Sequence, residues 1–328
     1  MRAEGLSLKR VLFIRTDRLG ETLLNIPAVQ SIKQAYPEVR VTWMVNPQLV
    51  GLLEDLPGVD AVVAEPFTDK LWWQAAWFFG CRWRLEKVDA VIVSNAKKLY
   101  HLASFLGGVP IRAGYDRKWG FLLTHRIADQ KMIGTRHEVE CHFDLLKPLG
   151  ISADVPADLA LPVKPQTHEA VLKRLEEKGI ALSKPLVAVH PWTSNAAKQW
   201  ALERFRGLID RIIEGGSREV AVIGGPEHAS ESSAFKRLSG VHDLTGFFSL
   251  PELAAFLQRA RVVISNDSGP AHVAAAVGVP VIALFGTQDA ATGPARWGPW
   301  GAKHTVIWKK SMDEIAVDEV FEATMRYL

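Results

Sequence analysis

The stretch Arg10-Val11-Leu12-Phe13-Ile14-Arg15-Thr16-Asp17-Arg18-Leu19-Gly20-Glu21 passes from a short apolar run into a polar turn with one glycine, and Leu23, Leu24, Ile26 and Val29 follow at helical spacing. An unbroken apolar run of this length marks a strand buried on both faces, and the helix behind it makes a strand-turn-helix unit of a parallel sheet. The same rhythm recurs along the chain. In the first half the runs are Arg10–Arg15, Val39–Val45, Ala61–Ala64 and Asp89–Ser94, and in the second Pro185–His190, Glu219–Gly224, Arg261–Asn266 and Pro280–Phe285. Helical patterns of about ten or more residues separate them, which predicts two doubly wound α/β units. Ile151 to Pro165 is rich in Ala and Pro and lacks periodicity, so a linker that permits hinge motion is expected there. Ser249 with Glu252 and Ser311 with Glu314 have capping-box spacing, and the second pair predicts a last helix over Met312–Tyr327.

Composition bounds the function. A chain of 328 residues is most simply two domains at roughly 150 residues each, and 48% hydrophobic against 23% charged residues excludes a disordered chain. The net charge of +3 is too small to argue for duplex nucleic acid, so no nucleic-acid partner is expected. Cys81 and Cys141 form no Cys-x-x-Cys element and supply neither a disulfide framework nor a zinc site, which fits a reducing cytoplasm. The basic start is followed by an apolar run too short for a signal peptide, and the longest apolar stretch, Val273 to Phe285, is broken by Gly278 and Pro280. Neither export nor a transmembrane helix is predicted.

In open α/β sheets ligands bind outside the carboxyl ends of the strands, so the strand-to-helix loops carry the chemistry. The first, Arg15 to Glu21, lacks the Gly-x-Gly-x-x-Gly of a dinucleotide site, and the chain has no Gly-x4-Gly-Lys-Ser/Thr, which disfavours a nicotinamide dehydrogenase and a common nucleoside triphosphatase. Glu21 begins the following helix, where it can cap backbone N–H groups or act as a general base on an attacking hydroxyl. After the run ending at His190, Thr193, Ser194 and Lys198 can donate to phosphate oxygens, or form a polar turn with a solvated lysine. Asn266-Asp267-Ser268-Gly269-Pro270-Ala271-His272 pairs a close-approach glycine with a proline suited to the first helical position, a ready anion site with His272 as a further donor. Gly224-Gly225-Pro226-Glu227-His228 puts a carboxylate after a strand, where an acid commonly holds ribose hydroxyls.

Together, Arg15-Thr16-Asp17-Arg18-Leu19-Gly20-Glu21, Lys198-Gln199-Trp200, Gly224-Gly225-Pro226-Glu227 and Asn266-Asp267-Ser268-Gly269-Pro270-Ala271-His272 resemble glycosyltransferase family 9, the ADP-heptose:lipopolysaccharide heptosyltransferases, over nearly the whole chain. The resemblance implies a GT-B fold, two Rossmann-like doubly wound domains facing a cleft. Residues 1–160 would bind acceptor, 161–310 the nucleotide sugar, and 311–328 would form a helix crossing back to the N-terminal domain. It implies an inverting transfer of heptose from ADP-heptose to the lipopolysaccharide inner core (Kdo/heptose lipid A). Glu21 would be the base, standing where the family usually has Asp; Lys198, with Thr193 or Ser194, and Ser268, Gly269 and His272 would hold the diphosphate; Asp267 would face the transferred sugar and Glu227 the ribose. A related transferase with another nucleotide sugar or acceptor, and a non-catalytic nucleotide-sugar binding protein, remain the alternatives.

Leu71 to Trp83 places four of the 11 tryptophans in 13 residues, with Arg82 and Arg84 at its end, a pattern suited to a membrane interface and equally to core packing or a dimer contact. A basic excess in the first half, with Lys97, Lys98, Arg112, Arg117, Lys118, His125 and Arg126, can bind the carboxylates and phosphates of an inner core; Lys97, Lys98, Arg117 and Lys118 are the acceptor-binding candidates. His137-Glu138-Val139-Glu140-Cys141-His142 imitates a metal cluster, but helical positions five apart diverge by roughly 140°. With no Asp-x-Asp motif either, no metal and no cofactor is expected, and the protein is placed in the cytoplasm with peripheral contact to the inner membrane face.

Overall fold

In the computed structural model, the described residues are 7–66, 71–180, 184–214, 216–235 and 240–328. The chain divides into two units, Met1–Pro156 and Ala157–Leu328. The first contains β1 (Arg10–Arg15), β2 (Arg40–Val45), β3 (Ala61–Ala64), β4 (Ala90–Val93), β5 (Ile111–Tyr115) and β6 (His125–Ile127) in one parallel sheet of order β3-β2-β1-β4-β5-β6. The second contains β7 (Leu186–His190), β8 (Glu219–Gly224), β9 (Val241–Thr245), β10 (Val262–Asn266), β11 (Val281–Gly286) and β12 (Thr305–Lys309) in a parallel sheet of order β12-β11-β10-β7-β8-β9. Counted within its own unit, each sheet runs 3-2-1-4-5-6, the Rossmann order.

The sequence locates four strands of each half, β1 to β4 in the first and β7, β8, β10 and β11 in the second, but misses β5, β6, β9 and β12. The central strands β4, β7 and β10 are buried along their whole length, so they read as continuous apolar runs. The missed strands include short, polar edge strands such as His125–Ile127, whose burial pattern carries no periodic signal.

The order of each sheet reverses between β1 and β4 and between β7 and β10. Loops leaving these neighbouring strands diverge, and their parting makes a crevice at the strands' carboxyl ends. The residues after β1 and β4, and those after β7 and β10, are therefore the positions where the fold itself presents side chains to a ligand.

In the first unit the helix Trp72–Leu85 packs closely on Lys98–Leu106, because a Cβ on Gly80 would stand 2.9 Å from the Ala103 carbonyl oxygen. Its tryptophans split by face. Trp83 is buried and stacks on Phe79 with centroids 5.8 Å apart, whereas Trp72, Trp73 and Trp77 are 43%, 50% and 62% exposed. The second unit's core joins Val187, Phe205, Leu208 and Ile264 to Met312, Ile315, Val320 and Ala323 near the chain's end. The linker is fastened from Leu159 onward, with Leu159 and Leu161 buried and Leu161 N donating to Ala276 O at 2.8 Å.

The helix expected over Met312–Tyr327 is broken into a single turn at Met312–Glu314 and a helix at Val317–Met325. Ile315 between them is buried and extended, and its carbonyl accepts from Trp200 Nε1 at 3.1 Å and Arg204 Nη1 at 2.7 Å. A carbonyl committed to two neighbours outside the segment is drawn away from the intrahelical ladder. Ser311 makes no side-chain cap, so only the Ser249–Glu252 box forms as the spacing predicts. Among the described residues no helix is long and apolar enough to cross a membrane.

Two glycines of the second unit predict opposite responses to alanine. At Gly286 a Cβ would be built into the Ser311–Met312 backbone, while at Gly207, within the helix Leu202–Ile213, it would meet nothing within 4 Å. Gly286→Ala is expected to lower stability by about 1–3 kcal/mol and Gly207→Ala to raise it by about 0.5–1 kcal/mol. Urea unfolding midpoints at unchanged slope check both, and equal shifts of the two variants would contradict this packing.

Candidate active site

The end of β1 delivers Arg15 into the interior, where its residue surface is 5% exposed. A buried guanidinium needs acceptors for its donors, and the turn after the strand supplies them. Arg15 Nε donates to Asp17 Oδ1 at 2.6 Å and Nη2 to Glu21 Oε2 at 2.8 Å, while Nη1 reaches Ser94 O and Oγ at 3.3 and 3.4 Å. Ser94 follows β4, so Arg15 ties together the two loops at the first switch point. Ser94 Oγ donates to Asn25 Oδ1 at 2.7 Å, and Asn25 Nδ2 donates to Glu21 O at 2.7 Å, which steadies the helix Leu19–Leu23 that carries the glutamate.

Glu21 occupies the first turn of that helix, yet its carboxylate is directed to Arg15. The electrostatics matter for chemistry. Burial, with the neighbouring Asp17 carboxylate as acceptor for the protonated form, pushes Glu21 up to about 7 against the opposing pull of Arg15. A carboxyl group held there has the strength that general-base work needs near neutral pH.

Beside this cluster, Lys97 Nζ donates to Thr16 Oγ1 at 2.6 Å and to Glu65 Oε1 at 2.9 Å, and Tyr100 donates its hydroxyl to Glu65. Of the acceptor-binding candidates, Lys97 is thus drawn in beside the β1 turn with its charge met by Glu65. Arg117 pairs with Asp129 at 3.0 Å, Lys98 lies 5.9 Å from the Trp119 ring centroid, and Lys118 has a left-handed backbone with φ +53°. These three stand apart from Lys97 in their partners. Deeper in the unit, Lys131 Nζ lies 2.6 Å and His142 Nε2 3.2 Å from Glu138 Oε2, and His137 caps the helix Glu138–Asp144, so the histidine cluster serves the core.

The second switch point presents donors. His190 ends β7, and its Nδ1 lies 3.1 Å from Ser268 Oγ, which lies 2.8 Å from Ser265 Oγ. Burial lowers His190 to about 3, which keeps the imidazole neutral and leaves one ring nitrogen to accept. Ser268 stands at the N-cap of the helix Gly269–Ala276 but makes no cap, because its hydroxyl is turned to His190 and Ser265. Gly269 therefore opens a helix end without a side-chain acceptor, and His272, one turn on, is buried.

Asn266 spans the two loops, with Nδ2 donating to Pro191 O at 2.8 Å and Oδ1 accepting from Trp200 N at 3.0 Å. Lys198, in the turn Ala196–Lys198, pairs with Asp267 across 69 positions of sequence. The sequence assigns these two to different parts of a donor, and the structure brings them together. Thr193 N donates to Gln199 Oε1 at 3.2 Å, and Ser194 beside it is exposed. Trp192 stacks on His228, with centroids 4.9 Å and planes 6° apart, over Gly224, where a Cβ would stand 2.6 Å from the indole. Glu227 is exposed, folds back over Gly225 and lies 3.6 Å from His228 Nε2.

Arg15 and Asn266, which open two of the motifs, and Glu65 and His190 are the residues to which the sequence reading gave no role. Their signal was position: each is polar at or just past the end of an apolar strand.

A model of glycosyltransferase family 9 (heptosyltransferase) matches residues 82–321. The chain belongs to this family. As a family 9 member it is a glycosyltransferase, and its two Rossmann-type sheets are those of the GT-B class. Lipopolysaccharide heptosyltransferase 3 of Escherichia coli is 25% identical over 323 residues, covering 94% of this chain and 92% of its own. The glycosyl transferase family 9 structure from Veillonella parvula superposes with a TM-score of 0.85 at 20% identity over 97% of each chain. The E. coli heptosyltransferase WaaC, solved with ADP, does so at 0.73 and 22% identity over 97% of this chain and 100% of its own.

Proposed function

We propose that this family 9 enzyme transfers heptose from ADP-heptose to a hydroxyl of the lipopolysaccharide inner core, with inversion at the anomeric carbon. The observation that carries this reading is the Glu21 carboxylate, turned to Arg15 and raised to about 7 at the first switch point. Glu21 takes the proton from the acceptor hydroxyl as its oxygen attacks the anomeric carbon. The bond from that carbon to the phosphate oxygen breaks, and ADP leaves with the electron pair.

The second unit would receive the donor. The uncapped start of the helix Gly269–Ala276 offers N–H groups to the diphosphate, with Ser268, Thr193 and Ser194 as further donors and His272 one turn behind. Lys198 adds a charge-assisted contact once the diphosphate draws it from Asp267, which is then free to accept from hydroxyls of the sugar. Glu227 would take the ribose hydroxyls. That relatives named for heptose transfer cover this chain nearly end to end, and that one is solved with ADP, supports the choice of donor.

The first unit would hold the acceptor, with Lys97, Lys98, Arg117 and Lys118 meeting its anionic groups. Trp72, Trp73, Trp77 and Phe78, exposed on a helix that ends in Arg82 and Arg84, suit a peripheral contact with the cytoplasmic face of the membrane that carries the acceptor. In this reading the protein works in the cytoplasm.

Two variants separate the roles of the units. Glu21→Gln keeps the side chain's size and is expected to slow transfer by about 10²–10⁴-fold with ADP affinity unchanged, whereas Lys198→Ala is expected to weaken ADP binding by about 1.5–3 kcal/mol. Titration calorimetry with ADP and initial transfer rates measure both, and a fully active Glu21→Gln removes Glu21 from the base role. For the membrane contact, replacing Trp72, Trp73 and Trp77 with Ser is expected to release the folded protein from vesicles containing anionic lipid. Unchanged vesicle binding in sedimentation would assign these tryptophans elsewhere.

A further inference from the structure

Asp17 has no part in the transfer written above, yet it shares the buried guanidinium with Glu21. The N–H of Nε and one N–H of Nη2 lie on the same edge of the planar arginine fork. Asp17 Oδ1 takes the first at 2.6 Å and Glu21 Oε2 the second at 2.8 Å, so the two carboxyl groups stand side by side. Nη1 faces the other way, toward Ser94. Asp17 raises the proton affinity of Glu21. Two ionised carboxylates on one edge of a guanidinium can only accept from it and repel each other, and a single proton on one of them replaces that repulsion with a hydrogen bond to the other.

The surrounding charges give the same count. Arg15 is the cation bonded to both acids. Glu138 also acts on Arg15 from the helix Glu138–Asp144, but its own charge is met by Lys131 at 2.6 Å, with His142 at 3.2 Å. On the other flank Lys97 is engaged by Thr16 and Glu65. One guanidinium against two ionised acids leaves a surplus negative charge in a half-buried place, and one proton removes it.

We propose that Asp17 and Glu21 form a one-proton dyad on Arg15, in which Asp17 is a positioning residue that sets the pH at which Glu21 becomes a free base. The catalytic consequence rests on the base reading of Glu21; the shared proton does not. With Glu21 raised to about 7, the dyad keeps its proton below that pH and loses it above. In the unfolded chain a glutamate ionises near about 4.3. Across the window from there to about 7 the folded state binds more protons than the unfolded, so the dyad's contribution to stability is present in acid and is lost as pH rises.

The test uses the full chain with Asp17→Asn and Glu21→Gln, each compared with wild type. Urea unfolding between about pH 5 and 8 is expected to show a wild-type loss of stability with rising pH that Glu21→Gln lacks and that Asp17→Asn shows only at the acid end of this range. In acceptor-dependent ADP release, the acid limb of kcat/KM is expected near pH 7 for wild type and lower by more than about one pH unit in Asp17→Asn, where no like charge opposes ionisation of Glu21. A wild-type stability slope retained in both variants, or an acid limb unmoved in Asp17→Asn, overturns the dyad. If Glu21→Gln proves fully active while the stability slopes behave as expected, the base role falls and the shared proton stands.

Discussion

An arginine at the inner end of an apolar strand must find partners, and the first unit is arranged around that demand at Arg15. Its guanidinium takes Asp17 and Glu21 from the turn that follows β1 and Ser94 from the loop that follows β4. The turn is thereby folded back on the strand it leaves, and the short helix Leu19–Leu23 is set so that Glu21 points at the switch point and not at its own backbone. The same interaction that positions the carboxylate limits how far its proton affinity can climb, because the cation opposes what burial and Asp17 impose. Position and acid strength are therefore consequences of one contact.

The second unit repeats the strand order and inverts the chemistry. Where the first switch point presents acids on a cation, the second presents hydroxyls, a helix start and a lysine. Neutral His190 is the counterpart of Arg15 in architecture. It also ends a first strand, and by engaging Ser268 it keeps that hydroxyl from closing the helix end behind it. A side-chain cap there would satisfy the N–H groups that an anionic donor would otherwise use. The pairing of Lys198 with Asp267 holds the lysine in place, so that in the proposed reading a diphosphate would replace one partner of the lysine and need not order a free chain.

The legible part of the fold was what burial writes into sequence. β1, β4, β7 and β10 are hidden on both faces and read as apolar runs, and the glycine, proline and hydroxyl turns behind them read as loops. The edge strands β6 and β12 did not, since His125–Ile127 and Thr305–Lys309 are chosen by their neighbours' hydrogen bonds more than by their own side chains. The last helix was misjudged because the Ser311–Glu314 spacing is a local cue, and the carbonyl of Ile315 answers to Trp200 and Arg204, more than a hundred residues away in sequence. The site was legible as a set of loops, but not as contacts. Glu21, Lys198 and Asp267 stood out by residue type, whereas Arg15 and His190 matter through long-range partners, Ser94 and Ser268, that spacing does not reveal. The tryptophan segment divided between the two roles its composition allowed, with Trp83 inside and Trp72, Trp73 and Trp77 outside.

The most direct test of the account is ADP release by the purified chain from ADP-heptose, measured with and without a lipid A acceptor bearing the inner-core sugars. The account predicts release only when the acceptor is present, with one heptose added to it per ADP formed. No release with the acceptor, or transfer from a UDP- or GDP-sugar in its place, would contradict it.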